Sequence, residues 1–432
     1  MIKNILQCLE ETANKYPEKI AFADITREVN YVTFVENAKK IGTYISKKQK
    51  VTNSPIVIFI DKTVNCLESM MGVVYSGNFY TIIDTKSPIE RIENIINTLK
   101  PIAVITDEKN IKKAETIGKF DNILVYEEMK KNEIDGAKLE NIRTKAIDTD
   151  PMYVLFTSGS TGVPKGTVVS HRSVITYSNW VVETFNISND TIFGSQTPFY
   201  FSMSVLDIFA TMQSGASFYI IPKMYFSFPV KLLEFMNEKK INTIYWVPSA
   251  LGLVANLGAL DEIQVPSLNK VLFAGEVMPV KQLNKWIKYY PNAMFANLYG
   301  PTEVTDICAY YIVDRKFADN ETLPIGRACN NCDLLVIKDD QTMAEPAEEG
   351  ELYVRGSFVA DGYYANPEKT KGAFVQNPLN KQYPEVVYKT GDIVKYNDLG
   401  ELIYISRKDF QIKHMGYRIE LGEIETAINS ID

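Results

Sequence analysis

Between residue 55 and about residue 300, short apolar runs alternate with stretches of helical periodicity, and this alternation constrains the fold more than any other feature. "PIVIFI" (55–60) and "IAVIT" (102–106) are bounded by turn residues and are too short for helices, so they read as buried strands. Between them Leu67, Met70, Met71, Val74 and Tyr75 recur at helical spacing. The cycle returns later as "VLFAG" (271–275), a helical pattern over 280–290, and "AMFANLYG" (293–300). Such alternation predicts an α/β fold of layered β-α subdomains with largely parallel strands. Right-handed crossovers then gather loops from several strands along one sheet edge, where ligands sit.

Past about residue 320 the texture changes. "DLLVI", "GELYVRG" and "ELIYI" are short strands separated by Gly- and Asp-rich turns. A chain of 432 residues is too long for one small domain. We therefore expect a large core over residues 1–408, with a small β-rich subdomain at about 320–408. Residues 409–432 read as a hinge and the truncated start of an α+β C-terminal domain, because some twenty residues cannot bury a core. No internal repeat or low-complexity segment is evident.

Composition narrows the functional classes. A formal charge of −7 argues against an extended nucleic-acid surface. Nowhere do 18 apolar residues run together, and "MIKNILQCLEETANKYPEKI" has no apolar signal core, so no membrane partner is expected. Of the five cysteines only Cys329 and Cys332 form a C-x-x-C, with no second pair and no His beside it. That pattern gives no zinc site and fits a reduced, cytoplasmic setting.

The strongest local signal is "YVLFTSGSTGVPKGTVVSHRSV" (153–174). An apolar strand runs into a loop holding Gly159, Gly162, Gly166, the hydroxyls of Thr157, Ser158, Ser160 and Thr161, and Lys165. A helix with Val174, Tyr177, Val181 and Phe185 on one face is expected to follow. Glycines let backbone N–H groups crowd an anion, hydroxyls add donors, and lysine supplies a mobile charge. The loop is not the Walker pattern, since Pro164 and Gly166 flank Lys165 where Gly and Ser or Thr are required.

"TSGSTGVPKG" resembles the phosphate loop of the adenylate-forming (ANL) superfamily: acyl-CoA synthetases, luciferases and the adenylation domains of nonribosomal peptide synthetases. Further motifs follow in family order: "NLYGPTEVT" (297–305), "GELYVRG" with "GYYANPEKT", "YKTGD" (388–392) and "SRKDFQIKHMGYRIELGEIE" (406–425). "SRKDFQIKHMGYRIE" and "LFAGEVMPV" look most like D-alanine–carrier protein ligases and related adenylation domains. The resemblance implies ATP-dependent activation of a carboxylic acid to an acyl-adenylate, with release of pyrophosphate. Thioester transfer to a carrier-protein phosphopantetheine follows. It also implies Mg²⁺, and with it a small carboxylic acid substrate and an acyl or peptidyl carrier protein as partners. The alternatives are an acyl- or aryl-CoA ligase, an α-amino acid (D-alanine-like) activating domain, and a non-catalytic adenylate-binding module.

By the same resemblance, Thr157, Ser158, Thr161 and Lys165 would hold the pyrophosphate end, with Gly159, Ser160 and Gly162 completing the loop. Glu303, in "GPTE" beside Gly300 and Thr302, would bind Mg²⁺; taken alone it could cap a helix. Tyr299 would stack on adenine, with Asn297 near its amino edge. Asp392 would accept from both ribose hydroxyls, although an Asp after Gly is also a common turn residue. Arg407 would reinforce the ribose or phosphate side, and Lys413 would serve the thioester half after rotation about Asp409. Ser406 stands where the family usually has Gly, and the catalytic lysine of the family's C-terminal domain is absent. The chain is therefore expected to exchange pyrophosphate at least tenfold more slowly than one extended by that domain.

"FYFSMSVLDIF" (199–209) aligns with the family's acid pocket, Phe201 and Asp207 matching its flanking aromatic and acid. α-Amino acid activators carry an aspartate directly after that aromatic to pair with the ammonium; here the position is Ser202. A buried ammonium without a carboxylate costs several kcal/mol, so a non-α-amino acid is expected. The remaining lining, Met203, Leu206, Tyr245, Leu272, Ala274, Leu298 and Ile307, is mostly apolar. Asp306 alone is charged, and could receive a phenol or a distal amine, or instead face solvent or a backbone donor. An aryl acid, a short acyl acid or a β/ω-amino acid would suit such a pocket.

Overall fold

The computed structural model describes residues 2–117, 120, 122–159, 163–409, 411–414, 417–420, 424 and 428. Two mixed sheets carry the α/β part. The larger has nine strands in the spatial order Arg327–Ala328, Ala309–Ile312, Met294–Tyr299, Lys270–Ala274, Thr243–Trp246, Ile192–Ser195, Ser217–Ile220, Ile20–Ala23, Glu28–Asn30. Its six central strands are parallel and the outer ones antiparallel. The second orders seven strands as Gly362–Tyr363, Lys165–Ser170, Pro151–Thr157, Phe79–Ile82, Pro55–Phe59, Ala103–Thr106, Ile123–Val125.

The central strands are the continuous apolar runs of the sequence, because a parallel strand is covered by helices on both faces. All five residues of Pro55–Phe59 are buried, as are all four of Thr243–Trp246. Helices Val64–Tyr75 and Val280–Tyr289 lie where the periodicity places them. The α/β expectation holds, with one local correction. After the phosphate loop the chain does not enter a helix; it returns as the antiparallel strand Lys165–Ser170, and only then forms helix His171–Thr184. The β-branched run in "GTVVS" favours that strand, and Ser170 caps the helix by accepting from the Ser173 N–H.

A third, antiparallel sheet supplies the β-rich part. Cys332–Ile337 pairs with Gly350–Gly356, which pairs with Val386–Tyr396; Phe374–Gln376 and Leu402–Arg407 both pair with that last strand. Beyond it, Gln411–His414 and Tyr417–Glu420 form a hairpin. The helix expected from about Glu420 lies largely outside the described residues. Among the described residues, no helix is long and apolar enough to cross a membrane.

Candidate functional site

Thr157 ends one strand and Lys165 begins the next, directly opposite it in register. The intervening loop is therefore a hairpin connection at the end of the seven-stranded sheet. Ser160, Thr161 and Gly162 lie outside the described residues. At Gly159 there is no room for a side chain, because a Cβ would collide with the Val163 carbonyl oxygen. Thr157 Oγ1 is buried and finds no hydrogen-bond partner among the described residues. A buried hydroxyl without a partner is uncommon in folded proteins.

Lys165 points from its strand to Glu303, its ammonium 3.1 Å from Oε1. Glu303 is fully buried. It sits in the short 3₁₀ turn Thr302–Val304 that follows strand Met294–Tyr299. A third residue closes the group: Tyr363 Oη donates to Glu303 Oε1 at 2.7 Å and lies 3.1 Å from the Lys165 ammonium. Immediately after, Thr305 is held at φ 71, ψ −56, with Asp306 N donating to Val304 O at 2.8 Å. This is the rare γ-turn, and for a β-branched residue it stores about 1–3 kcal/mol of strain. Thr305 Oγ1 donates to Phe358 O at 2.8 Å, which helps fix the turn.

A second cluster joins the nine-stranded sheet to the antiparallel one. Strand register sets Asp392 opposite Arg407. Arg407 Nη1 donates to Asp392 Oδ1 at 2.7 Å, and Tyr299 Oη donates to Asp392 Oδ2. The preceding Gly391 has φ +77, a conformation that favours glycine, and Arg407 Nη2 would lie 3.1 Å from a Cβ there. Arg407 also forks onto Asp409, with Nε to Oδ1 at 2.6 Å and Nη2 to Oδ2 at 2.7 Å. Burial, then the negative Asp392, raises the Tyr299 phenol well above its ordinary range. Asn297 donates its amide to Pro324 O at 2.8 Å. Gly300 lies against the backbone of Asp306 and Ile307, with no space for a Cβ. Lys413 falls on strand Gln411–His414; its side chain lies outside the described residues.

Strand register gathers several of the residues expected to line the acid pocket. Tyr245 pairs with Leu272 and Ala274 with Leu298 in adjacent parallel strands. Alternation then sets all four on one sheet face, and Asn297 and Tyr299 on the other. Leu272, Ala274, Leu298, Leu206 and Ile307 are buried, and Met203 nearly so. Phe201, ring to ring with Tyr200 at 4.8 Å, and Ser202 are half-buried in the turn before helix Ser204–Ser214. Ser202 Oγ is 3.2 Å from Thr302 Oγ1.

Asp306 is 1% exposed, so the alternative of a solvent-facing carboxylate is excluded. Its Oδ2 accepts from Tyr177 Oη at 2.7 Å and from Tyr245 Oη at 3.1 Å. Both phenols are raised well above their usual range, by burial first and by the Asp306 charge second. Asp207 is buried beside Ser195 and Lys62. Lys62 reaches across from the other sheet to donate to Ser195 O at 3.0 Å and Ser195 Oγ at 3.1 Å. Burial raises the Asp207 carboxyl and lowers the Lys62 ammonium, each charge partly offsetting the effect on the other.

Tyr363, Tyr177 and Lys62 were not among the sequence candidates. Tyr177 reads as one core aromatic on a helical stripe, and nothing in the stripe reveals where its hydroxyl points. Tyr363 stands in a quoted motif, "GYYANPEKT", whose glycine and tyrosines carry no chemistry by spacing alone. A groove of about 600 Å³ lined by Glu10, Lys39, Tyr75 and Arg143 lies elsewhere. There Glu10 is already paired with Lys39 at 2.8 Å and with Arg143.

Comparisons with known proteins agree on the kind of chain this is. The family described as AMP-binding enzyme matches residues 9–364. The chain is 29% identical over 428 residues to the D-alanine–D-alanyl carrier protein ligase of Bacillus cereus (strain G9842), covering 98% of this chain and 82% of that protein. Its fold matches an artificially fused adenylation–PCP di-domain NRPS from Klebsiella oxytoca with TM-score 0.86 at 17% identity, covering 100% of this chain and 84% of that one. An NRPS protein containing adenylation and PCP domains, bound to a vinylsulfonamide inhibitor, matches with TM-score 0.84 at 19% identity, covering 100% and 72%.

Proposed function

Because this chain belongs to the family of AMP-binding enzymes, we propose that it activates a carboxylic acid lacking an α-ammonium group and passes it to a carrier-protein phosphopantetheine. In the first half-reaction a carboxylate oxygen attacks the α-phosphorus of ATP. A P–O bond forms, the α–β bridge breaks, and pyrophosphate leaves with its electron pair. Catalysis of such a step is positioning and charge neutralisation around an in-line displacement. The roles follow the two clusters. Lys165 and the Thr157 hydroxyl face the phosphate end, and Thr161 and Ser158 belong to the same loop. Tyr299 offers its ring to adenine. Asp392 already accepts one bond on each oxygen, but a carboxylate has about four lone-pair sites and so can add both ribose hydroxyls.

The donor set suits Mg²⁺. Glu303 is a buried hard-oxygen ligand, and Mg²⁺ is commonly held by one or two carboxylates plus substrate phosphates. When bound, the ion would neutralise charge on the phosphate oxygens. Glu303 would hold it, Tyr363 would keep the carboxylate oriented, and Lys165 would be released toward the triphosphate. Lys413 and Asp409 are proposed for the thioester half. A carrier-protein partner is supported by the named activity of the Bacillus relatives. Five free cysteines support a reducing, cytoplasmic setting.

Ser202 carries the substrate reading. A neutral hydroxyl beside Thr302 leaves a buried ammonium without an ion partner at that position. An aryl acid, or another acid whose donor lies far from its carboxyl carbon, could instead meet Asp306. The D-alanine specificity named for the relatives favours a second reading, an α-amino acid. ATP–pyrophosphate exchange with hydroxybenzoates, short acyl acids, β-amino acids and D- and L-α-amino acids separates the two. Exchange greatest with an α-amino acid overturns the first.

A further inference from the structure

The phosphate loop is short of positive charge. Lys165, its own cation, stands 3.1 Å from the fully buried Glu303, so until a metal ion takes up Glu303 the pair carries almost no net charge. A second lysine approaches the loop from a different element. Helix Pro367–Ala373 packs on strand Gly362–Tyr363, with the Tyr363 N–H donating to Thr370 Oγ1 at 3.0 Å. That strand in turn pairs with Lys165–Ser170. The register of the helix is fixed by Asn366, whose Oδ1 accepts from the Lys369 N–H at 3.1 Å. Half-buried, Lys369 sends its ammonium to within 3.4 Å of the point a Gly159 Cβ would occupy.

We propose that Lys369 is a second cation of the phosphate loop, contacting the β- and γ-phosphates of ATP and the departing pyrophosphate. This rests on the nucleotide reading given above and extends it to a residue outside the loop. The placement explains why Tyr363 is tied both to Glu303 and to this helix: one strand fixes Lys165, the metal-binding carboxylate and Lys369 relative to one another. A compact ammonium suits the role, because it neutralises phosphate charge without demanding a bidentate geometry.

The test is calorimetric binding of Mg·ATP, AMP and inorganic pyrophosphate to the wild-type protein, K369M and K369R. AMP lacks the phosphates that Lys369 would touch. K369M is expected to weaken ATP and pyrophosphate about tenfold, leave AMP within twofold, and be largely rescued in K369R. Unchanged ATP affinity in K369M, with AMP still bound, overturns this assignment while leaving the nucleotide reading intact. Equal loss of ATP and AMP makes Lys369 structural and also overturns it. Failure of the wild-type protein to bind either nucleotide overturns both.

Discussion

Ser202 and Glu303 show how far single side chains carry the account. On the reading proposed above, position 202 would offer an α-ammonium only a hydroxyl, 3.2 Å from Thr302 Oγ1. Ser202→Asp is therefore expected to raise exchange with α-amino acids at least tenfold, measured as acid-dependent ATP–pyrophosphate exchange. No gain would remove Ser202 from the ammonium position. Glu303→Gln abolishes the anionic oxygen and should lower exchange at least a hundredfold at saturating Mg²⁺. Tyr363→Phe deletes a buried hydrogen bond to a charged group, worth about 1.5 kcal/mol, and is expected to lower unfolding stability by about that amount and to cost about tenfold in exchange rate. A Tyr363→Phe enzyme as active as wild type would show that Tyr363 does not position Glu303.

Elements explain why these residues meet, and where a sequence stops being informative. Asp392 and Arg407 are separated by a turn in the chain, yet antiparallel register sets them face to face. Replacing Arg407 with Ala should raise KM for ATP about tenfold or more with a smaller effect on kcat, since it removes an ion pair that orders the ribose acceptor. An unchanged KM would contradict that role. The parallel strands were legible because their burial on both faces writes a continuous apolar run. Strand Lys165–Ser170 was not: "GTVVSHRSV" offers β-branched residues and a helical stripe in succession, and only pairing with Pro151–Thr157 decides where one ends. Lys165 could be named beforehand because its loop has the composition of a phosphate cradle, and Asp392, alone a common turn residue after Gly, because its motif resembles the family's. Tyr177 and Lys62 could not, because their roles come from the partners that folding brings, Asp306 in one case and Ser195 in the other.

Across the whole molecule, titratable groups shifted by burial make stability depend on pH. His171 opens the helix after Lys165–Ser170, and its N–H donates to Asp150 O at 3.1 Å. Burial pushes the imidazole from 6.5 down to about 4, against the opposing pull of Asp150 and Asp148, and its Nδ1 has no hydrogen-bond partner among the described residues. The unfolded chain therefore binds this proton at higher pH than the folded one. Stability from His171 is full above about pH 6.5 and is lost as pH falls toward 4, by about 3 kcal/mol at most. Urea unfolding between pH 7 and 4 should show this slope for the wild-type protein and a shallower one for His171→Gln. Identical slopes would contradict the assignment.

The central claim joins the proposed nucleotide clusters to a proposed acid pocket in which Ser202 offers no carboxylate to an α-ammonium. Acid-dependent ATP–pyrophosphate exchange by the protein, across a panel of aryl, short acyl, β-amino and α-amino acids, tests both halves at once. The account predicts exchange with a non-α-amino acid, eliminated by Glu303→Gln, and little with D-alanine. Exchange driven best by an α-amino acid, or exchange indifferent to Glu303, would contradict it.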